Sequence, residues 1–536
     1  MKLETRESHL ARWALCGLVM ALAACGGDSD DPVPPAPTRT EYYQTKTPYS
    51  PQQAASTYEA PPAGYSVVYT ELMARHGSRG LSSMKYDLAV LNMWDQAKAD
   101  NALTPLGAKL GPDVLKIMKA NFLLGDRVDG ISRPGYGNET QVGIEEHTAL
   151  AKRMLSRNAA LFAQVGAQAA SQPRQIVVVT SGVDRAVDSG YFFVKSLKAA
   201  QSNLTSLVTY PSAPATYPEG APVAQPDGTN RFQLYFHKLV PATDLVTTPT
   251  DPLYTTYQDS QAFQAWTNDA ELAAKQAAVL AEPAAKAAGR TLLERLFTKA
   301  FVDKIDAGTY KFANTGTRSF ASDDGRFTNT QVGDGKTKIS SLAEAASILY
   351  ELYVIAPAML SEAGVDFTPY MPSEQAKYLA YTNDASDFYK MGPSITEKGS
   401  VTWKMAQSLE DDFFNEVDAI AKGDLGHAAK LRFAHAEIVV PFASKLGLKN
   451  VAVQVPRAQS YSYDTNPWRG EIVSPMAANV QWDVVRNATG KVLVKMLYNE
   501  KETDFKAACD GARFAANSHY YDYTLLKACY GHTAAP

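Results

Sequence analysis

The sequence has few of the residues that mark metal centres, and it has no excess of positive charge. Its 536 residues include 4 Cys and 8 His, with neither a Cys/His cluster nor a His-Glu-x-x-His motif for a zinc ion. Lys and Arg number 52 against 56 Asp and Glu, and this net charge of −4 argues against a general nucleic-acid binder. Hydrophobic residues make up 45% of the chain, which argues against a disordered protein and allows a large core.

The N-terminal region lacks an apolar run long enough for a membrane-spanning helix, because the stretch 11–24 is short and rich in alanine. With basic residues before it, this stretch predicts a secretory signal peptide over residues 1–24. Residues 22–25 (LAAC) resemble a bacterial lipobox. We therefore expect an exported lipoprotein, anchored to a membrane through a lipid on Cys25 and facing the periplasm or the cell exterior. A plain cleaved signal with an incidental cysteine is the alternative. Residues 25–62, which begin with a Gly-, Asp- and Pro-rich stretch, predict a flexible tether.

Two cysteines remain after the signal and the proposed anchor, Cys509 and Cys529. An exported protein folds in an oxidising compartment, where an even pair of cysteines tends to form a disulfide. Such a bond would stabilise the C-terminal region by roughly 3 kcal/mol. The alternative is a pair of unbonded core thiols.

The pattern along the chain predicts an α/β fold. Strand-like runs, most of them rich in Val, lie at 65–72, 175–180, 431–434 and 451–455, and continuous runs of this kind are typical of buried strands. Helical spacing of apolar residues occupies 138–157 and 184–197. We expect a core with a central, mostly parallel sheet, formed by residues 63–200 and 400–536. A mainly α-helical cap, residues 201–399, would be inserted into it.

The most informative motif is Arg75-His76-Gly77-Ser78-Arg79, which follows the first of these strands. Ligand sites in α/β sheets lie beyond the carboxyl ends of strands. A histidine can attack phosphorus and hold the phosphoryl group covalently, and two flanking arginines can bracket the phosphate oxygens. We interpret the motif as a phosphate site with His76 as the nucleophile. The alternative is a surface loop with a helix-capping histidine.

A second group, His435-Ala436-Glu437, follows the strand at 431–434. A phosphohistidine mechanism needs an acid to protonate the departing alkoxide, and Glu437 can supply it. An imidazolium at His435 would add positive charge beside the phosphate. The tripeptide alone is a weak signal, and a metal-ligand role is the rival interpretation.

Together these segments resemble the second branch of the histidine phosphatase superfamily, the histidine acid phosphatases. Within that branch the likeness is to the multiple inositol polyphosphate phosphatases, which have His-Ala-Glu where many phytases have His-Asp. The likeness runs from about Tyr65 to the C-terminal region. It includes the segments 103–107, 145–154, 181–190, 431–448, 475–480 and 492–501. It implies a histidine-phosphatase α/β core with a helical cap, and an enzyme that needs no metal or other cofactor.

The resemblance also implies a role for individual residues. Carried over by position, the nucleophile is His76, the proton donor is Glu437, and the phosphate-binding residues are Arg75, Arg79, Arg185 and His435. For Arg185, spacing alone favours an ion pair with Asp184 or Asp188. The sequence departs from the family where the motif continues as Gly80-Leu81-Ser82 instead of reaching a proline. This departure leaves the shape of the loop and its substrate contacts open.

The expected function is that of a metal-independent phosphomonoesterase. It would hydrolyse inositol polyphosphates such as phytate through a phosphohistidine on His76. One alternative is a broad-specificity acid or sugar-phosphate phosphatase, and a more distant one is a non-catalytic lipoprotein that binds phosphorylated ligands. Further contacts to an anionic substrate are suggested for Lys85, Arg133, Lys238 and Arg469. Two arginines (Arg153 and Arg157) are expected on a solvated helix face. Five histidines are expected to be structural or exposed, namely His147, His237, His427, His519 and His532.

Overall fold

The computed structural model describes residues 41–209 and 230–533. The predicted signal peptide (1–24) and Cys25 lie outside these residues. The second half of the predicted tether does not behave as a tether, because residues 42–59 pack on the body of the protein. The amide of Tyr49 donates to the carboxylate of Glu146 at 2.7 Å, and the hydroxyl of Tyr58 donates to the carbonyl of Glu500 at 2.6 Å.

A mixed sheet of eight strands forms the centre of the described structure. The strands of the protein are β1 (Tyr65–Arg75), β2 (Gln175–Thr180), β3 (Val208–Thr209), β4 (Phe312–Ala321), β5 (Thr328–Ile339), β6 (His427–Ala434), β7 (Asn479–Asn487), β8 (Val492–Tyr498), β9 (Lys501–Glu502) and β10 (Tyr520–Asp522). The sheet order is β10-β8-β7-β1-β6-β2-β3, with β9 beside β8, while β4 and β5 form a separate hairpin.

One half of the sheet is parallel and the other half is antiparallel. β1, β6, β2 and β3 run parallel, and β7 joins β1 in the antiparallel sense. The register pairs Arg75 with Ala434 and Thr180 with Phe433. Three parallel strands therefore end at the same level, and the residues that follow them meet at one edge of the sheet.

Helices cover both faces of the sheet. The helices are α1 (Tyr86–Ala99), α2 (Gly107–Leu123), α3 (Gln141–Arg157), α4 (Ala159–Ala167), α5 (Asp184–Ala200), α6 (Asn230–Leu234), α7 (Pro241–Asp244), α8 (Tyr254–Thr267), α9 (Ala270–Leu280), α10 (Pro283–Leu296), α11 (Lys299–Asp306), α12 (Leu342–Ile355), α13 (Leu360–Ala363), α14 (Ser373–Lys390), α15 (Gln407–Ala421), α16 (Ala436–Lys445), α17 (Gly470–Val473) and α18 (Tyr523–Tyr530). Alternate residues of β1 enter opposite layers, Leu72 and Ala74 with α3–α5 and Tyr69 and Met73 with α15 and α16. Because both faces are buried, the central strands are mostly apolar, and their buried charges are paired, as Glu71 of β1 is with Arg432 of β6.

A second apolar cluster joins α1 and α2 to α10, α12 and α14. Leu88 and Ile117 from the first pair and Leu292 and Leu349 from the others are almost fully buried in it. The packing of this helical unit therefore extends across the boundary that the sequence placed at residue 200. An amphipathic pattern shows that a helix has an apolar face, but it does not show which distant segment covers that face.

Two local expectations differ from the structure. The run 451–455 is not a strand: the carbonyl of Leu448 accepts the amides of Val451 and Ala452 in a turn after α16, and Val455 makes only a single bridge to Ile395. The insertion that was expected to be mainly helical also contains the β4–β5 hairpin. Partly buried and exposed residues alternate along β5, and few of them are Val or Ile, so a search for Val/Ile runs does not detect this strand.

The expected α/β fold with an added helical region is confirmed. The expected disulfide is also present, joining Cys509 to Cys529 with their Cα atoms 5.6 Å apart. Within the described residues, one stretch, Leu342–Ala363, is long and apolar enough to cross a membrane. Of its most apolar window, 72% is buried inside the protein, as in a core helix.

Candidate active site

The residues after three parallel strands converge at the sheet edge. His76 follows β1, Ser181 follows β2 and His435 follows β6. The amide of His76 donates to the carbonyl of Ala434 at 2.9 Å, and the amide of Ser181 donates to that of Phe433 at 3.0 Å. The imidazole rings of His76 and His435 lie 5.6 Å apart. The sheet register thus places the two histidine motifs in one site.

His76 is held as a neutral imidazole with one free nitrogen. Its Nδ1 lies 2.9 Å from the carbonyl oxygen of Gly77, and a carbonyl can only accept, so Nδ1 carries the proton. The side chain is 3% exposed. Burial, followed by the charges of Arg185, Arg75 and Arg79, holds the pKa of His76 well below its usual range. Nε2 therefore keeps its lone pair and can act as a nucleophile.

His435 is neutral as well, and not the imidazolium that the sequence suggested. Arg185 Nη2 donates to its Nδ1 at 3.2 Å, since a guanidinium can only donate, and its Nε2 lies 2.8 Å from the hydroxyl of Ser181. Burial and then the charge of Arg185 hold the pKa of His435 well below its usual range. This contact also places Arg185 in the site. Asp184 instead pairs with Arg133, and Asp188 accepts the amide of Ser132.

Three arginines, the buried Arg75 and the partly buried Arg79 and Arg185, lie close enough to His76 for their charges to lower its pKa. Arg75 Nη1 donates to the carbonyls of Thr45 and Ser474, both at 2.6 Å, and Arg79 Nη1 donates to that of Gly80 at 2.7 Å. The buried Nε atoms of all three arginines have no hydrogen-bond partner in the described part of the chain. Burial lowers the pKa of Arg75 to about 10 and that of Arg79 to about 9, which leaves both cationic at neutral pH. The arrangement is suited to a phosphate dianion.

Glu437 lies in the first turn of α16, two residues after His435. Burial raises the pKa of Glu437, but its interactions with His237, His435 and Arg185 outweigh burial and hold that pKa well below the usual range. Since both histidines have lowered pKa values, the standing positive charge among these three groups is that of Arg185. The negative charge of Glu437 in turn raises the pKa values of Arg75, Arg79 and Arg185. A bound phosphate dianion would neutralise those cations and raise the pKa of Glu437 toward that of an acid.

Two buried carboxyl groups hold the histidine loop (residues 76–80) from behind. Glu139 Oε1 accepts the amide of Gly77 at 2.9 Å and the hydroxyl of Ser189. Glu146 accepts the amide of Ser78 at 2.6 Å and its hydroxyl at 2.9 Å. Sequence reasoning did not single out either residue: Glu139 lies two residues before α3, and Glu146 lies in its second turn, within the segment 145–154 that resembles the family. They fix the backbone that orients His76.

The loop that departs from the family motif is held by side-chain contacts in place of a proline. A Cβ atom on Gly80 would lie 2.3 Å from Asn121 Oδ1, so a larger residue there would force the Asn121 side chain to move. The same Asn121 oxygen accepts the amide of Leu81 at 2.7 Å, and the carbonyl of Leu81 accepts the amide of Gly137 at 2.7 Å. The asparagine of α2 therefore takes over part of the shaping of this turn.

Other cations lie near the site, and some were not expected. Lys46, on the 3-10 turn Gln44–Lys46, has its pKa lowered to about 8 by burial and then by the charges of Arg79 and Arg75. Two further lysines lie near the site: the charge of Arg79 acts on Lys85, and the charge of Lys238 acts on His435. Arg133 lines a cleft of about 170 Å³ together with Arg185. Sequence reasoning missed Lys46 because its segment was assigned to the tether.

Three other predicted positions are used elsewhere. Arg469 does not face the site: it stacks 3.6 Å from the ring centre of Tyr463 and donates to three backbone carbonyls of its own loop. Arg153 and Arg157 do not form a solvated face, because both pair with the buried Glu500.

Among the histidines that were expected to be structural or exposed, His237 does lie at the site, with its ring 6.1 Å from that of His435. No group of three metal-binding side chains occurs in residues 41–209 and 230–533.

A neutral, buried histidine at the end of a central strand, enclosed by arginines and facing a carboxyl group, defines a histidine phosphatase. Comparison with solved structures makes the assignment more specific. The Bifidobacterium longum multiple inositol polyphosphate phosphatase in complex with inositol hexasulfate is 35% identical, with a TM-score of 0.77 over 91% of this chain and 97% of that chain. Its apo form gives a TM-score of 0.78 at the same identity and coverage. The chain therefore belongs to the multiple inositol polyphosphate phosphatase family, as its motifs indicated.

A more distant structure shares only the fold. The phytase from D. castellii is 12% identical, with a TM-score of 0.50 over 91% of this chain and 84% of that one. No protein-family model matches the chain, and no curated protein matches it. The expectation of an enzyme is confirmed by the family. The roles of the individual residues remain predictions.

Proposed function

We propose that the protein removes phosphate groups from inositol polyphosphates, phytate among them, through a phosphohistidine on His76. The observation that carries the proposal is the unprotonated Nε2 of His76 inside a pocket of three arginines. Glu437 would supply the proton for the leaving group. Arg75, Arg79, Arg185 and His435 would bind the phosphate that is transferred.

The geometry supports a two-step reaction. His76 Nε2 attacks phosphorus, the bond from phosphorus to the ester oxygen breaks, and that oxygen takes a proton from Glu437. Water then attacks the phosphohistidine, gives a proton to the Glu437 carboxylate and releases inorganic phosphate. The arginines stabilise the negative charge on the phosphoryl oxygens in both steps.

The choice of substrate rests on two observations. The B. longum relative has been solved with inositol hexasulfate, in which sulfate groups stand in for phosphates, and with phosphate itself. In this chain Lys46, Lys85, Lys238 and Arg133 add positive charge around the central pocket, as a substrate with several phosphates requires. The net charge of −4 does not argue against a highly anionic substrate, because the positive charge is concentrated around the site.

The test is phosphate release at mildly acidic pH from phytate, glucose 1-phosphate and nitrophenyl phosphate. We expect the wild type to prefer phytate, and His76→Ala to lose turnover of all three substrates. The matched control His519→Ala changes a histidine that pairs with Asp504 near the C-terminus, and we expect it to stay active. Equal turnover of all three esters by the wild type would favour the broad-specificity phosphatase.

Acid-quench trapping separates an enzyme from a binding protein. We expect a labelled phosphoenzyme in the wild type and none in His76→Ala. A wild type that binds phytate without forming this species or releasing phosphate would instead be a non-catalytic binder.

We also propose that the protein is exported and anchored to a membrane through a lipid on Cys25, facing the periplasm or the cell exterior. The support is the lipobox-like sequence 22–25 after a signal-like segment. Labelling of cells with radioactive palmitate should mark the wild-type protein and not Cys25→Ser. Export without a label in either protein would indicate a plain cleaved signal.

A further inference from the structure

Ser181 directly follows β2 at the edge of the sheet that forms the site, and it is fully buried. Its amide donates to the carbonyl of Phe433 at 3.0 Å, which continues the pairing of β2 with β6 by one residue. Two groups lie within hydrogen-bond distance of its hydroxyl oxygen. They are the ring nitrogen Nε2 of His435 at 2.8 Å and the amide of Val183 at 3.3 Å. The sheet therefore fixes a hydroxyl group between the histidine after β6 and the start of α5.

The contacts of His435 determine which ring nitrogen carries its proton. Arg185 Nη2 lies 3.2 Å from Nδ1, and a guanidinium can donate but cannot accept, so Nδ1 must offer its lone pair. The proton of the neutral ring is then on Nε2, which donates to the hydroxyl oxygen of Ser181. In the other tautomer the proton on Nδ1 would point at the guanidinium, and this hydrogen bond could not form. The acceptor at Ser181 thus selects the tautomer that can bind Arg185.

His435 orients the charged end of Arg185. The carbonyl of Arg185 accepts the hydroxyl of Ser189 at 2.7 Å, and this bond holds the backbone, whereas the contact with His435 holds the guanidinium. The Nε atom of the same guanidinium is buried without a hydrogen-bond partner in the described part of the chain, and it can donate to a bound phosphate. Because both ring nitrogens of His435 are occupied in this arrangement, the ring itself has no N–H group left for the phosphate.

We propose that Ser181 is a positioning residue of the phosphate site: its hydroxyl holds His435 as the Nε2–H tautomer, and His435 in turn orients the guanidinium of Arg185 toward the phosphate. The inference rests on the proposed function and deepens it, since His435 then contributes to phosphate binding through Arg185. The same hydroxyl binds the amide of Val183, the residue before α5, so one side chain fixes both the ring and the start of the helix that carries Arg185. No covalent bond forms or breaks at Ser181 or His435.

The tautomer of His435 can be measured by NMR. In protein labelled with ¹⁵N-histidine, a protonated and an unprotonated ring nitrogen give different ¹⁵N chemical shifts. The signals of His435 are identified by their loss in His435→Gln. We expect a protonated Nε2 and an unprotonated Nδ1 in the wild type, and a mixture of both tautomers in Ser181→Ala. A wild type with the proton on Nδ1 would overturn the inference, and so would an unchanged tautomer in Ser181→Ala.

The effect on phosphate binding is measured as inhibition by inorganic phosphate, with nitrophenyl phosphate as the substrate. For Ser181→Ala we expect the inhibition constant to rise about tenfold, as for the loss of one hydrogen bond to a charged group. We expect kcat to fall by one common factor with nitrophenyl phosphate and glycerol 2-phosphate, because the phosphate and not the leaving group is affected. The matched control is Ser196→Ala, which removes another buried hydroxyl of α5, one that donates to the carbonyl of Thr148 at 2.9 Å. An inhibition constant that is the same in Ser181→Ala as in the control would contradict the proposal.

A double-mutant cycle shows whether Ser181 acts through Arg185. In an Arg185→Ala background, Ser181→Ala should cause no further rise in the inhibition constant for phosphate. Effects that add would show that Ser181 influences phosphate binding without Arg185, and they would overturn the inference. These measurements use phosphate and simple esters, so they do not depend on phytate. A wild type that hydrolyses the simple esters but not phytate would contradict the proposed substrate and would leave this inference intact.

Discussion

On the phosphate side of the site, the functional groups follow the ends of neighbouring strands or, like Arg185, begin the helix after one. On the leaving-group side, Glu437 also begins a helix after a strand, but the other groups come from separate segments of the chain. Arg75, His76 and His435 are fixed by the register between β1 and β6. Lys46 and His237 are carried by two 3-10 turns, one before the sheet and one after α6. The two sides differ in how strongly the fold constrains them.

This difference has a physical consequence for the chemistry. A shift in the register of β1 would move the nucleophile and the arginines together and would disable phosphoryl transfer altogether. The turns on the other side can change with little effect on the sheet, so this side is where selectivity can vary. We therefore expect variants of the phosphate side to affect all esters equally, and variants of the opposite side to depend on the leaving group.

Glu437→Gln should give the largest dependence on the leaving group. The amide cannot donate the proton that an alkoxide requires, and we expect kcat with inositol phosphates to fall by roughly 10² to 10⁴. With nitrophenyl phosphate the loss should be much smaller. The measurement is steady-state kinetics on both substrates, with the exposed Glu374→Gln as control. Equal losses on the two substrates would contradict the acid role.

Arg185→Gln should weaken turnover of every ester, by about 10². It should also shift the acid limb of the pH profile. After burial, Arg185 is the charge that most lowers the pKa of His76, so its removal raises that pKa. Protonated His76 cannot attack, and the activity should therefore be lost at a higher pH than in the wild type as the solution is acidified. An unchanged acid limb in a pH series would show that another group controls it.

The comparison also explains what could be predicted from the sequence. The strands at 65–72 and 431–434 are mostly apolar, apart from the buried ion pair of Glu71 with Arg432, and a short motif follows each of them. These motifs, together with the family resemblance, allowed His76, Arg79 and His435 to be assigned to one site from the sequence. His237 belongs to no such pattern, because it reaches the site only through the packing of α6 and the turn after it. Lys46 was missed for the same reason, since residues 42–59 contact the body through partners such as Glu146 and Glu500, far away in the sequence.

Glu139 tests the rigidity of the phosphate side. It accepts the amide of Gly77, and burial raises its pKa well above the usual range, which favours the neutral carboxyl. Glu139→Gln is close in shape to that form and should lose little activity. Glu139→Ala removes the acceptor, and we expect about tenfold lower kcat or worse with alkyl and aryl esters alike. The ratio of the two variants on nitrophenyl phosphate is the measurement, with thermal unfolding as the check on folding. A loss confined to alkyl esters would show that Glu139 acts on the leaving group and would contradict its assignment to the phosphate side.

Lys46→Met should have the smallest effect and the most selective one. Lys46 lies near Arg75 and Arg79, and the carboxyl groups of Glu351 and Asp387 favour its positive charge. A substrate with several phosphates would bring a second anion to this lysine, whereas nitrophenyl phosphate has none to bring. We expect KM for phytate to rise several-fold, in line with about 1 kcal/mol for one charge-assisted contact, and KM for nitrophenyl phosphate to stay constant. Lys152→Met, on the exposed face of α3, is the matched control. If KM rises for both substrates, Lys46 helps to bind the phosphate that is transferred and does not contact a second phosphate of the substrate.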